Sequence, residues 1–377
     1  MTAAPVFRQG LQDVVAADSS ICYIDGEKGV LSYRGIDIHV LAEESSFEEV
    51  CFLLWEGRLP RRSELRELQS AIGRERALPE PAIDLLRSLA GRLAPMDVLR
   101  TVVSALPAVD PDAGSMEPEA NRRKAVRLAG RLGTIVAALG RLSRGQELVA
   151  PDPGRPHADD FLRMLTGETA PSAAVRALDT ALVLHAEHEL NASTFAARVT
   201  AATLADMHAA VTSAIAALRG PLHGGANEAV MRMLSEIGSL DRVDEFVRGR
   251  LTRREKIMGF GHRVYRTEDP RATHLRAMSR GAAESAGETR WYDISRRIEQ
   301  VVAEEKQLAA NVDFYSASLY YVLGIPVALF TPVFAVSRIA GWTAHVLEQY
   351  ANNRLIRPRA EYTGPPYPQP YVPIDER

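Results

Sequence analysis

The chain has 377 residues, is 46% hydrophobic and 25% charged, and carries a formal net charge of −3. This is an ordinary globular composition, long enough for two or three domains or for one large core with a smaller satellite, and its charge balance favours neither nucleic acid nor an anionic membrane surface. Two cysteines, Cys22 and Cys51, form no CxxC pair and no disulfide framework, and read as small apolar residues in a reducing compartment.

The start, MTAAPVFRQG, lacks the cationic and apolar blocks of a secretory signal, so a cytoplasmic location is expected. In SICYIDGEKGVLSYRG, residues 21–24 and 30–33 flank a turn-rich DGEKG and predict a short β-hairpin, the only convincing strand pair. Helical periodicity then dominates. SSFEEVCFLLWEG offers a Ser N-cap, early glutamates and a stop at Gly57, and RSELRELQSAIG repeats the device. PMDVLRTVVSAL begins with a proline suited to a first helical turn. Residues 119–143 have Ala, Leu and Arg at helical spacing, GQELVAPDPGRPHADD reads as a loop, and SAAVRALDTALVLHAEHE reads as a helix. Residues 194–218 are small or apolar nearly all round and predict one central helix ended by Gly220-Pro221, while Arg198, Asp206 and His208 argue against a membrane span. Further helices are expected near 226–238, 242–255, 272–286, 290–309, 313–323 and 332–352. No internal repeat is present. The fold class expected is mainly α. The proline-rich tail, RPRAEYTGPPYPQPYVPIDER, reads either as a disordered end or as an arm along a partner subunit, with Tyr362, Tyr367 and Tyr371 to dock it.

Chemistry concentrates in four short stretches. In GPLHGGANEAV, His223 stands between a Gly-Pro break and two glycines at the mouth of a helix. The helix dipole disfavours an imidazolium there, and a neutral imidazole can donate to a developing oxyanion. The blander reading is a histidine whose ring serves the turn. In GFGHRVYRTEDPR, His262 leads into a cationic run with Arg253, Arg254, Lys256, Arg263 and Arg266 nearby, which fits an anion site or a solvated charged face. In NVDFYSASLYY, Asp313 has apolar and aromatic neighbours that would raise its pKa and strengthen it as a base; alternatively Asn311 or Asp313 simply caps the following helix. In HAEHELNAS, His185 and His188 are three apart on one helix face, a spacing open to metal, but no HExxH and no cysteine accompany it. One histidine bonding a substrate and the other bonding protein is the simpler reading.

Taken together and in this order, HAEHELNAS, GPLHGGANEAV, GFGHRVYRTEDPR, NVDFYSA and NNRLIRPR resemble citrate synthase, as does the hairpin region YIDGEKGVLSYRGIDI. The resemblance covers nearly the whole chain. It implies a homodimer of mainly α-helical subunits, with a large helical domain (1–224 and 325–377), a smaller one (225–324) and the active site in the cleft between them. It implies that His223, His262 and Asp313 are catalytic, and that His188, Arg271, Arg338 and Arg357 bind oxaloacetate, with Arg357 supplied by the other subunit. It assigns Arg266, Lys256 and Lys306 to coenzyme A. Acetyl-CoA would be a co-substrate, with no permanent cofactor and no metal. The extra N-terminal segment of the NADH-responsive long form has no counterpart before the hairpin, so the short dimeric form without an NADH site is expected. A 2-methylcitrate synthase using propionyl-CoA shares these motifs and remains the alternative.

Overall fold

Three short antiparallel strands, β1 (Cys22–Asp25), β2 (Val30–Tyr33) and β3 (Ile36–Asp37), open the ordered fold in a computed structural model that describes residues 7–11 and 14–377. Residues 1–6, part of the stretch read for a secretory signal, lie outside the described residues. The expected hairpin is present, with Cys22 opposite Tyr33 and Asp25 opposite Val30. Asp25 holds its turn by accepting from the backbone N–H groups of Glu27 and Lys28, both at 3.1 Å. The third strand was not anticipated, because two residues are too short to display an alternating pattern.

Helices follow: α1 (Ile38–Glu44), α2 (Phe47–Glu56), α3 (Arg62–Arg74), α4 (Glu80–Leu89), α5 (Pro95–Ala105), α6 (Pro118–Leu142), α7 (His157–Thr166) and α8 (Ser172–His185). The N-terminus of α2 is a capping box, in which Ser46 and Glu49 satisfy each other's backbone N–H, and left-handed Gly57 ends it. Two readings need correction here. Residues 157–160, taken as loop, form the first turn of α7, and α8 stops at His185, so His188 lies in the loop beyond it.

The single helix expected over 194–218 is two helices, α9 (Ala192–Ala201) and α10 (Met207–Leu218), packed closely on each other. Leu204 adopts a left-handed φ of 62°, and Asp206 then caps α10 by accepting from His208 N–H at 2.9 Å and Ala209 N–H at 3.1 Å. Apolar periodicity ran straight through the break; the Asp-then-apolar start was the local signal that competed with it.

Next come α11 (Ala226–Ile237), α12 (Val243–Thr252), α13 (Pro270–Ala286), α14 (Arg290–Lys306) and α15 (Val312–Val322), which pack mostly on one another. The last helix, α16 (Phe330–Ala351), packs on α2, α6, α8, α9 and α10 and carries the fully buried Trp342. The segment Val327–Ala351 is long and apolar enough to cross a membrane, but 89% of its apolar window is buried inside the protein, as expected for a core helix. Beyond α16 the tail is extended and almost wholly exposed.

Candidate active site

His223 is placed by a tight turn between α10 and α11. Its N–H donates to Gly220 O at 3.0 Å. A Cβ on Gly224 would lie 1.9 Å from Leu218 O, so only glycine lets the chain fold back there. The His223 ring meets the start of α9. Nε2 accepts from the Ser193 backbone N–H at 3.3 Å and lies 2.8 Å from Ser193 Oγ. A backbone N–H can only donate, so the neutral ring carries its proton on Nδ1, the nitrogen left free. The single Ser193 Oγ proton is shared between His223 Nε2 and Asn191 Oδ1, 2.7 Å away, and Oγ accepts from Trp342 Nε1 at 3.1 Å. Burial, aided by the Arg338 charge, pushes the His223 pKa down to about 4. The ring is neutral, as read from sequence, but burial rather than the helix dipole leads.

His262 sits in a loop stitched to the start of α15. Gly261 N–H donates to Ala309 O at 3.0 Å, Asn311 N–H to Gly259 O at 2.9 Å, and Asn311 Nδ2 to Gly261 O at 3.0 Å. Gly259 has a φ of 83°, and a Cβ there would lie 2.7 Å from the Phe314 ring. His262 Nδ1 accepts from the N–H groups of Val264 at 3.0 Å and Tyr265 at 3.2 Å, so the ring proton sits on Nε2. Burial and then the nearby Arg271 push its pKa down to about 4.

Asp313 is the second residue of α15. Asn311, not Asp313, caps that helix, accepting from Asp313 N–H at 3.0 Å. The Asp313 carboxylate is thereby freed from capping and hydrogen-bonds to no side chain among the described residues. Burial raises its pKa to about 6, against the opposing pull of Arg271 and Arg338. Asp269, the N-cap of α13, bonds to the start of α15 and has the opposite fate. It accepts from Arg271 Nε at 2.9 Å and Nη2 at 2.8 Å and from Val312 N–H at 3.1 Å. Burial opposes ionisation, but the Arg271 guanidinium wins and holds the Asp269 carboxyl below its usual range.

The other expected residues divide into two groups. His188, Arg271 and Arg338 are buried beside these loops. His188 Nε2 lies 3.1 Å from Tyr265 Oη, and its ring stands 5.3 Å from that of His262. Arg338 donates through Nε to His185 O at 2.7 Å, lies over the Phe334 ring and has no carboxylate within ion-pair distance among the described residues. Its charge bears on His188, His223 and Asp313 alike. The second group is exposed: Arg266 and Lys256 on the His262 loop, Lys306 at the end of α14, and Arg357 on the tail. Of these, Arg266 is tied down only through its backbone, which donates to Gly26 O at 2.9 Å. His185 faces protein, with Nδ1 2.7 Å from Ala181 O, and among the described residues no three His, Cys, Asp or Glu side chains are grouped to hold a metal ion. Ser193, Tyr265, Asp269 and Asn311 escaped the sequence reading as members of the site. All four lie inside the motifs that were singled out, but only three-dimensional contact gives them a role.

A family model described as the citrate synthase C-terminal domain matches residues 10–359. The chain is 52% identical to citrate synthase 2 of Bacillus subtilis, over 98% of this chain and 99% of that one. It is 49% identical to the citrate synthase of Haloferax volcanii, with the same coverage, and 44% identical to a 2-methylcitrate synthase of Mycobacterium tuberculosis, over 96% of this chain and 91% of that one. Among solved structures, the citrate synthase of Pyrobaculum aerophilum superposes with a TM-score of 0.92 at 42% identity, covering 98% of this chain and 95% of that one. The ternary complex of carboxymethyl coenzyme A and oxaloacetate with the citrate synthase of Thermoplasma acidophilum superposes at 0.93 with 33% identity, covering 99% and 100%. With one family model spanning nearly its full length and relatives of this identity matching end to end, the chain belongs to the citrate synthase family.

Proposed function

We propose that this enzyme joins the methyl carbon of acetyl-CoA to the ketone of oxaloacetate and then hydrolyses the thioester, releasing citrate and CoA. It is thus an acyltransferase whose acyl group becomes alkyl on transfer. The observation that carries the reading is an unpaired, buried carboxylate of pKa about 6 and two neutral imidazoles, each with one N–H free of protein partners and each within the electrostatic reach of Arg271 or Arg338. The family's relatives support the same substrates.

The hard step is removal of a methyl proton. Each unit of pKa mismatch between base and carbon acid costs about 1.4 kcal/mol, and a carboxylate alone falls far short. Asp313 takes the proton while His223 Nδ1–H donates to the thioester oxygen, so charge arrives on an oxygen that is already hydrogen-bonded. A positioned oxyanion donor contributes about 2.7–4 kcal/mol. His262 Nε2–H polarises the ketone and delivers its proton as the carbon–carbon bond forms. Oxaloacetate is held by His188 and by the guanidiniums of Arg271 and Arg338, whose planar forks suit carboxylates. Arg357 completes the set across a homodimer interface, a role supported by its place on an extended, exposed tail. Arg266, Lys256 and Lys306 are solvent-facing cations suited to the phosphates of coenzyme A. No resident cofactor or metal takes part.

The domain division is 1–224 with 325–377 against 225–324, supported by α11–α15 packing mostly among themselves. Closure of the smaller domain over bound oxaloacetate excludes water until the bond has formed, so oxaloacetate binds first. The enzyme acts in the cytoplasm.

One methylene changes pocket binding by only about 1–3 kcal/mol, and a 2-methylcitrate synthase stands among the relatives, so propionyl-CoA is the second acyl donor to weigh. The test is release of free CoA thiol with oxaloacetate and either acyl-CoA. Acetyl-CoA is expected to give the higher kcat/KM. Preference for propionyl-CoA would make the product 2-methylcitrate, and no CoA release with either would overturn the reading.

A further inference from the structure

We propose that Tyr265 is a positioning residue that locks His188 and His262 into one arrangement, an inference that rests on the roles given above to those two histidines. Tyr265 reaches them in three ways. Its backbone N–H donates to His262 Nδ1 at 3.2 Å, which helps to set the tautomer that leaves Nε2–H free. Its ring packs on the His262 imidazole, with centroids 4.7 Å apart and planes tilted by 41°. Its hydroxyl lies 3.1 Å from His188 Nε2, with the two rings edge-on at 5.6 Å. The His188 and His262 rings are 5.3 Å apart, so the three rings close a triangle.

Two corners of the triangle are buried, and the loop that carries it is anchored from outside. Tyr265 is 3% exposed and His188 is 8% exposed. Burial pushes the phenol pKa up, so the hydroxyl keeps its proton. The next residue, Arg266, donates its N–H to Gly26 O in the β1–β2 turn, which clamps the loop on its far side. The small sheet thus holds the loop, the loop holds Tyr265, and Tyr265 holds the histidine that grips the ketone substrate and the one that protonates it. No other aromatic ring among the described residues pairs with both. Tyrosine suits the position because it combines a flat ring with a polar tip.

Two variants separate the two side-chain contacts. Tyr265→Phe keeps the ring and deletes the hydroxyl. It frees the His188 ring, so KM for oxaloacetate should rise about 5- to 10-fold, a typical loss for one hydrogen bond, with kcat within about twofold of wild type. Tyr265→Leu also removes the ring that backs His262, so kcat should fall about 10-fold or more, as small misplacements of reacting groups do. Thermal unfolding of both variants serves as the control for a purely structural effect. An unchanged or lowered KM in Tyr265→Phe would overturn the proposal, the lowered value meaning that the hydroxyl competes with substrate for Nε2. Loss of KM and kcat in parallel with lost stability would overturn it too. Wild-type protein that fails to condense oxaloacetate with any acyl-CoA would instead remove the reading of the site beneath it.

Discussion

Histidines meet opposite fates in two parts of this molecule. In the candidate site, His188, His223 and His262 are all pushed below the usual imidazole pKa, first by desolvation and then by Arg271 or Arg338. At the junction of α6 and α10, His208 is more deeply buried than any of them, yet its pKa is raised. Burial pushes it down as well, but Asp110 lies 3.2 Å from Nε2 and Asp206 3.5 Å from Nδ1, and the two carboxylates prevail. Burial alone therefore does not decide the protonation state; the sign of the neighbouring charge does. His208 is set among anions and forms an ion pair, whereas His157, in the same scaffold, is pushed down to about 3 by burial and then by Arg76. Around His188, His223 and His262 the guanidiniums of Arg271 and Arg338 add to burial and keep the rings neutral.

The largest effect that can break this comparison lies at Asp313, whose carboxylate hydrogen-bonds to no side chain among the described residues. Asp313→Ala should lower kcat by at least about 10³-fold while leaving the protein folded, because the proposed general base is lost. Its raised pKa adds a second readout in the wild type. The base works only when ionised, so activity should fall as pH drops through about 6, not near the ordinary aspartate value. Near-normal turnover of the alanine variant would remove Asp313 from the chemistry, and a limb near 4 would mean that Arg271 and Arg338 outweigh burial there.

A smaller effect tests the cations themselves. Arg338 is buried without an ion partner, its guanidinium over Phe334 and bonded to protein only through Nε. A buried charge of this kind is costly unless something repays its desolvation, and the proposed role of Arg338 is that the substrate carboxylate does so. Arg338→Leu should raise KM for oxaloacetate by about 10- to 100-fold, the loss expected for one charge-assisted contact. The same substitution removes a charge that presses on His223, so the His223 pKa should rise slightly. Both are measurable, by steady-state kinetics and by NMR titration of the imidazole. Unchanged oxaloacetate KM would assign Arg338 to structure alone.

Much of this was legible in the sequence, because glycines and caps punctuate it strongly. Ser46 and Glu49 announce α2, Gly57 ends it, and the glycines around His223 and His262 mark turns that no other residue can make. The reading failed where apolar periodicity outran a local cap. Residues 194–218 look like one helix because both halves are buried, and only Asp206 and left-handed Leu204 divide them. For the candidate site, residue type and spacing singled out His188, His223, His262 and Asp313, and only the family resemblance gave them roles. They could not decide whether Asn311 or Asp313 caps the helix, or reveal that Asp269 neutralises Arg271 while Arg338 has no ion partner among the described residues. Those are facts of contact between segments far apart in the chain.

The smallest effect belongs to the scaffold side, and it sharpens the contrast by pH. His208 has a raised pKa in the folded protein, so between its unfolded value near 6.5 and that raised value the native state binds more protons than the unfolded chain. Its contribution to stability is thus complete below pH about 6.5 and is lost as pH rises through the folded pKa. His208→Gln keeps polar atoms but cannot take the charge. It also leaves Asp110, otherwise bonded to Arg127 at 2.8 Å, short of one partner. The variant should be less stable than wild type by about 1–2 kcal/mol at pH 6, and the gap should narrow toward pH 9. Urea unfolding at fixed protein concentration, run at both pH values, gives both numbers. A gap that stays constant with pH would mean that His208 is neutral like the histidines of the cleft, and that the flanking carboxylates do not set its charge.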